Sequence, residues 1–93
     1  MNDAGAFLAA HPSLAEAMRT SSAFDRIRRQ ALLDIDGERL YIVRGDTLGS
    51  EEELFVEALV RGAQGPDPGD AERALYVELT DEQRALVDER VRR

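Results

Sequence analysis

Cysteine is absent from this chain of 93 residues, which removes disulfides, thiolate metal sites, iron–sulfur clusters and cysteine nucleophiles from consideration. There is a single histidine, His11, too few for a histidine metal site. Any serine–histidine–acid triad would have to use it, with Ser13, Ser21, Ser22 or Ser50 as nucleophile, and none of these serines stands in a nucleophile-elbow pattern. His11 beside Pro12 reads as a surface residue in a turn between helices. Lysine is missing too: all twelve basic residues are arginine, distributed along the whole chain. No apolar run reaches the roughly 20 residues that a membrane helix requires. The first apolar stretch stops at His11-Pro12 and has no basic lead, unlike a secretory signal. A cytoplasmic protein without membrane association is expected.

What is present is 43% hydrophobic and 33% charged residues, enough for one small core and therefore one domain over residues 1–93. A domain of this size buries only about 60 to 65% of its unfolded surface, so completion by a partner or by a second copy is a natural expectation. The chain ends within an unfinished helical pattern at Arg90-Val91-Arg92-Arg93.

Local signals define the order of elements. Asp3 is placed to cap a first helix through Ala10 that Pro12 ends. Ser13 with Glu16, and Ser22 with Asp25, read as capping pairs ahead of Leu14, Met18, Phe24 and Ile27, giving one bent helix or two. The run 31–43 holds two β-rich segments around Asp36-Gly37, the strongest short hairpin signal. A two-residue turn there sets Leu33 opposite Leu40, Leu32 opposite Tyr41, Ala31 opposite Ile42, and Asp34 opposite Arg39. Ser50 to Glu53 is a capping box opening a helix that Gly62 should end, and 62–70 reads as a loop. Residues 73–79 alternate, with Leu75, Val77 and Leu79 on one face, which predicts a third strand; Thr80 to Gln83 then opens a last helix. The expected fold is α+β, a small and mainly antiparallel three-stranded sheet of one hairpin plus one strand, packed with three to four helices in the order α-ββ-α-β-α. The expected core is Leu14, Met18, Phe24, Ile27, Leu33, Leu40, Ile42, Phe55, Leu59, Leu75, Val77 and Leu86.

Two segments carry resemblances. Ala31 to Gly37, seven residues ending in Asp34-Ile35-Asp36-Gly37, resembles the first motif of the haloacid-dehalogenase-like phosphohydrolases. The resemblance implies Asp34 as nucleophile, Asp36 as acid/base, and Mg²⁺ neutralising phosphate charge on a doubly wound sheet. Leu48 to Leu54 is similar to the Leu-Gly-x-Asp-Ser-Leu motif of acyl carrier proteins. Glu52 stands where the attachment serine would be, so no phosphopantetheine can be linked and the segment reads as a helix start. Asp34, Asp36 and Glu38 are close enough in sequence for oxygen-only metal binding, although their spacing is not an EF-hand; no cofactor is expected.

Charge is more informative than any motif. Residues 1–45 are net neutral, residues 46–82 carry eleven acids against Arg61 and Arg73, and the last eleven residues are net positive, for a total of −7. Asp46, Glu51, Glu52, Glu53 and Glu57 could form one acidic face at the start of the middle helix, a docking surface for a basic partner. A field of that sign repels nucleic acid. The basic clusters at Arg26, Arg28 and Arg29, and at Arg90, Arg92 and Arg93, have no exposed aromatics interleaved. The reading adopted is a small acidic non-catalytic interaction or regulatory module, of inhibitor, antitoxin, immunity or adaptor type. The alternatives are an Mg²⁺-dependent phosphohydrolase centred on Asp34 and Asp36, and a structural homo-oligomer.

Overall fold

The computed structural model describes residues 3–64 and 69–92. Three helices come first: α1 (Asp3–Ala10), α2 (Pro12–Thr20) and α3 (Ser22–Ala31). A three-stranded meander follows, β1 (Leu32–Ile35), β2 (Glu38–Arg44) and β3 (Thr47–Gly49), and then α4 (Glu51–Ala63), α5 (Asp70–Glu78) and α6 (Asp81–Val91). The α+β class with a small antiparallel sheet is as expected. The third strand, however, lies before α4, and there are six helices among the described residues.

Residues 73–78 are helical, with Leu79 as the cap, because the alternation of 73–79 is incidental to a longer period. Ala71, Leu75 and Leu79 are buried at spacings of four, whereas Val77, the residue that would complete a strand face, is 56% exposed. Alanine, glutamate, arginine and leucine in the same stretch favour helix. The true third strand is only three residues long, too short to show a period. Its signal is the Gly45-Asp46 turn, where Gly45 takes φ +59°, as the first central residue of a type II′ hairpin must. The first hairpin has the expected register: Leu32, Leu33 and Asp34 stand opposite Tyr41, Leu40 and Arg39. Asp36 and Gly37 both have positive φ, as a type I′ turn demands. Ala31 ends α3 and does not pair with Ile42.

Helix starts are partly as read. Ser50 with Glu53 and Thr80 with Gln83 form complete capping boxes. At α3 the cap is Ser21, one residue earlier than expected, with its Oγ accepting from the Phe24 amide at 3.0 Å. At α2 Pro12 takes the first turn and His11 the cap position, so Ser13 lies inside the helix and caps nothing. Gly62 does not end α4, which runs on to Ala63. It is buried where α4 meets α5, and a methyl group there would overlap the Glu72 backbone carbonyl.

The core is organised around α4, which packs against α1, α3, α5, α6 and β2. Phe24 and Phe55, both fully buried, meet edge to face at 4.9 Å between ring centroids. Leu14, Leu54, Leu59, Leu75 and Val87 complete the deepest layer. The sheet covers this core with one face only. Tyr41 is buried and Val43 packs against the core, while Leu33 and Leu40 are half-buried and Ile42 is exposed. Three expected core residues therefore stand on the far side of the sheet, where no helix among the described residues covers them.

Two predictions concern packing. Gly62→Ala should destabilise the fold by about 1 to 3 kcal/mol, because the added methyl has backbone as its neighbour and cannot be accommodated by a rotamer change; urea denaturation followed by circular dichroism measures it. The second concerns Tyr76, whose hydroxyl donates to Asp88 at 2.7 Å and joins α5 to α6. Burial first, and the bond to Asp88 second, push its phenol above the ordinary value. A proton held more tightly in the folded state contributes stability that is complete below the ordinary phenol range of about 10 and is lost as pH rises through the raised value. Thermal melts should therefore show a loss of stability in alkali that is reduced in Tyr76→Phe.

Candidate functional site

The acids at the start of α4 divide by what they touch. Glu51 turns toward α3 and accepts from Arg28 at 2.5 Å, while Asp25 accepts from the same guanidinium at 3.1 Å. The Arg28 guanidinium is held above its ordinary pKa chiefly by the bond it donates to Glu51; partial burial opposes this, and attraction to Glu51 and the bond and attraction to Asp25 add to it. Glu53 returns to the Ser50 amide at 3.0 Å as half of the capping box. Glu57 shares the Glu53 side of the helix, whereas Glu52 lies about 100° away on a helix of 3.6 residues per turn. Asp46 is exposed in the β2–β3 turn. The structure thus does not gather Asp46, Glu51, Glu52, Glu53 and Glu57 onto one face: Glu51 and Glu53 are engaged within the fold, and Asp46, Glu52 and Glu57 are spread over its surface.

Asp34 and Asp36 are both exposed. β1, which carries Asp34, is the edge strand of an antiparallel sheet, and Asp36 occupies the hairpin turn. The doubly wound sheet implied by the phosphohydrolase resemblance is not what these residues build. Among the described residues no three histidine, cysteine, aspartate or glutamate side chains are grouped for a metal. His11 is half-buried rather than a free surface residue, its ring set edge to face against Phe7 at 4.9 Å, and it forms no hydrogen bond to a serine hydroxyl. Ser21 and Ser50 are occupied as helix caps, Ser21 also donating to Glu78.

The surface that reading the sequence missed is the outer face of the sheet. Because side chains alternate along a strand and directly paired residues share a face, the pairs Leu33–Leu40 and Ile42–Leu48, with Ile35 two residues beyond Leu33, place five large aliphatic side chains together. Ile35, Ile42 and Leu48 are 47%, 37% and 42% exposed. Glu38, paired with Ile35, lies on the same face, and the turns at the two ends of the strands carry Asp36 and Asp46. The hairpin register already implied that Leu33 and Leu40 share a side. What it could not show is which side faces the helices.

Compared with known proteins, the chain matches no family model, no curated protein and no solved structure.

The division of acids makes a stability prediction. Ser50→Ala, which breaks the capping box, should cost about 1 kcal/mol. Glu52→Gln and Glu57→Gln should each stay within about 0.5 kcal/mol of the parent. Chemical denaturation of the three variants checks the contrast.

Proposed function

We propose that this protein is a small acidic non-catalytic interaction module, a regulator of inhibitor, antitoxin, immunity or adaptor type acting in the cytoplasm, and that it docks its partner through the outer face of the sheet. The observation that carries the reading is the row of exposed aliphatic side chains at Ile35, Ile42 and Leu48, bordered by Asp36, Glu38 and Asp46. Scattered exposed aliphatics are ordinary on a protein surface, but a contiguous set on an uncovered sheet face marks a contact site. The partner that fits has an apolar patch ringed by basic side chains.

Magnitudes support a mixed interface. Covering three aliphatic side chains that are each about half exposed supplies on the order of 3 kcal/mol, whereas micromolar affinity requires about 8 kcal/mol. The remainder has to come from further surface and from charge, and the acidic border supplies charge together with steering of a basic partner. A second copy of the chain fits less well, since two molecules each of net charge −7 repel.

The experiment is affinity capture from native cell extract with the parent and with Ile42→Asp and Leu48→Asp, each checked for fold by circular dichroism. A single basic protein retained by the parent, released as salt screens the acidic border, and bound at least tenfold more weakly by both variants is the expected result. Retention that is indifferent to both substitutions would overturn the docking face. Retention of the bait's own copies alone, with dimers in sedimentation, would replace the basic partner by a homo-oligomer.

A further inference from the structure

The opposite face of the sheet borders an open surface cavity of about 260 Å³, lined by α3, the β1–β2 hairpin and the first turn of α4. Its polar lining is Arg28, Arg29 and Arg39 with Asp25 and Glu51, and its apolar wall is Leu32 and Tyr41. The lining holds three cations against two carboxylates, with Asp34 beside Arg39 on the same face of the sheet, in a chain whose total charge is −7.

The two carboxylates are already engaged. Asp25 accepts from Arg28 at 3.1 Å and from Arg29 at 2.7 Å, and Glu51 accepts from Arg28 at 2.5 Å. Arg28 is thereby fixed at the junction of α3 and α4. Arg39 stands opposite Asp34 in the strand register yet forms no ion pair or hydrogen bond among the described residues, so all its N–H donors remain available. Arg29 is anchored at one carboxylate oxygen only and is 77% exposed. Leu32, on the inner side of the sheet beside Tyr41, remains 41% exposed. An apolar side chain therefore stands beside two guanidinium groups with donors to spare.

We propose that this cavity binds a small phosphate monoester, with Arg39 and Arg29 donating to the phosphate oxygens and the organic group lying against Leu32 and Tyr41. A guanidinium fork matches phosphate oxygens bidentately, and a monoester carries about −1.5 to −2 charges near neutral pH, enough to answer two arginines at once. The acidic field of the surrounding chain favours a small ligand over a polyanion such as nucleic acid, which would extend beyond the cavity into that field.

The test is a titration of the ¹⁵N-labelled protein at low salt with phenyl phosphate, inorganic phosphate and benzoate, followed by amide shifts. Saturable shifts confined to the cavity residues, tightest for phenyl phosphate, are expected. Binding of phenyl phosphate should weaken about tenfold in Arg39→Ala, consistent with loss of a charge-assisted donor pair, and stay unchanged in Arg26→Ala on the same helix as Arg29. Because Arg39 is exposed and unpaired, its removal should leave the circular dichroism spectrum intact. Three results would overturn the proposal: no saturation at millimolar ligand, equal affinity in Arg39→Ala, or inorganic phosphate or benzoate binding as tightly as phenyl phosphate. Arg39 and Ile42 lie on opposite faces of β2, so this site and the docking face can fail separately.

Discussion

The rest of the fold depends on the burial of α4. Leu54, Phe55, Val56, Ala58, Leu59 and Gly62 are all buried, so the helix needs apolar cover over most of its circumference, and a chain of 93 residues must supply that cover from what remains. The edge-to-face contact of Phe24 with Phe55 fastens α3 to it on one side. Gly62, which has no side chain, lets α5 approach on another. α1 and α6 close further sides, and the sheet lies over the remainder through Tyr41 and Val43. With α1, α3, α5 and α6 packed on α4 and α2 on α1, no helix among the described residues is left for the second face of the sheet. The exposed aliphatic row is a consequence of how this small chain distributes its cover.

The arginines join five of the six helices among the described residues, α2 being the exception, its Arg19 bonding only Glu16 of the same helix. Arg28 joins α3 to α4 through Glu51, and Arg73 donates to the Gly62 carbonyl near the end of α4 at 2.9 Å. Arg84 donates to the carbonyls of Val77 and Leu79, which the end of α5 leaves without helical partners. Arg90 reaches Asp3 at 2.5 Å and lies over the Phe7 ring at 4.7 Å, tying the last helix to the first. A planar fork on a long stem suits such contacts better than an ammonium group. Most of these pairs are partly solvated, so each adds little stability; their effect is to fix orientation. Among the described residues Arg26, Arg39, Arg44 and Arg61 form no such side-chain bond, and of these four Arg39 is the one that lines the cavity beside α3.

The separation of the two faces of β2 gives the molecule two surfaces of different chemistry. The outer face is aliphatic with an acidic border. The inner face, beyond the part that meets the core, opens on a cavity lined by arginines. A single strand presents both because its side chains alternate, and neither surface has to be compromised for the other.

Much of this was legible locally. The Asp36-Gly37 turn, the hairpin register, the capping boxes at Ser50 and Thr80, and the apolar character of α4 follow from residue types at short spacings, since caps and tight turns are decided by a few neighbouring backbone groups. Residues 73–79 read as a strand because Leu75, Val77 and Leu79 satisfy a period of two as well as Ala71, Leu75 and Leu79 satisfy a helical one, and packing against α3 and α4 selects the helix that the residue types favour. β3 escaped notice because three residues cannot display a period. The acidic face was expected from proximity in sequence, yet Arg28 of a preceding helix claims Glu51 and the helix terminus claims Glu53. Sequence alone determined the tight turn and register of the first hairpin and the capped starts of α4 and α6. The tertiary structure alone decided which side of the sheet is covered, which acids are engaged and which arginines are left free, because each depends on what distant segments bring against it.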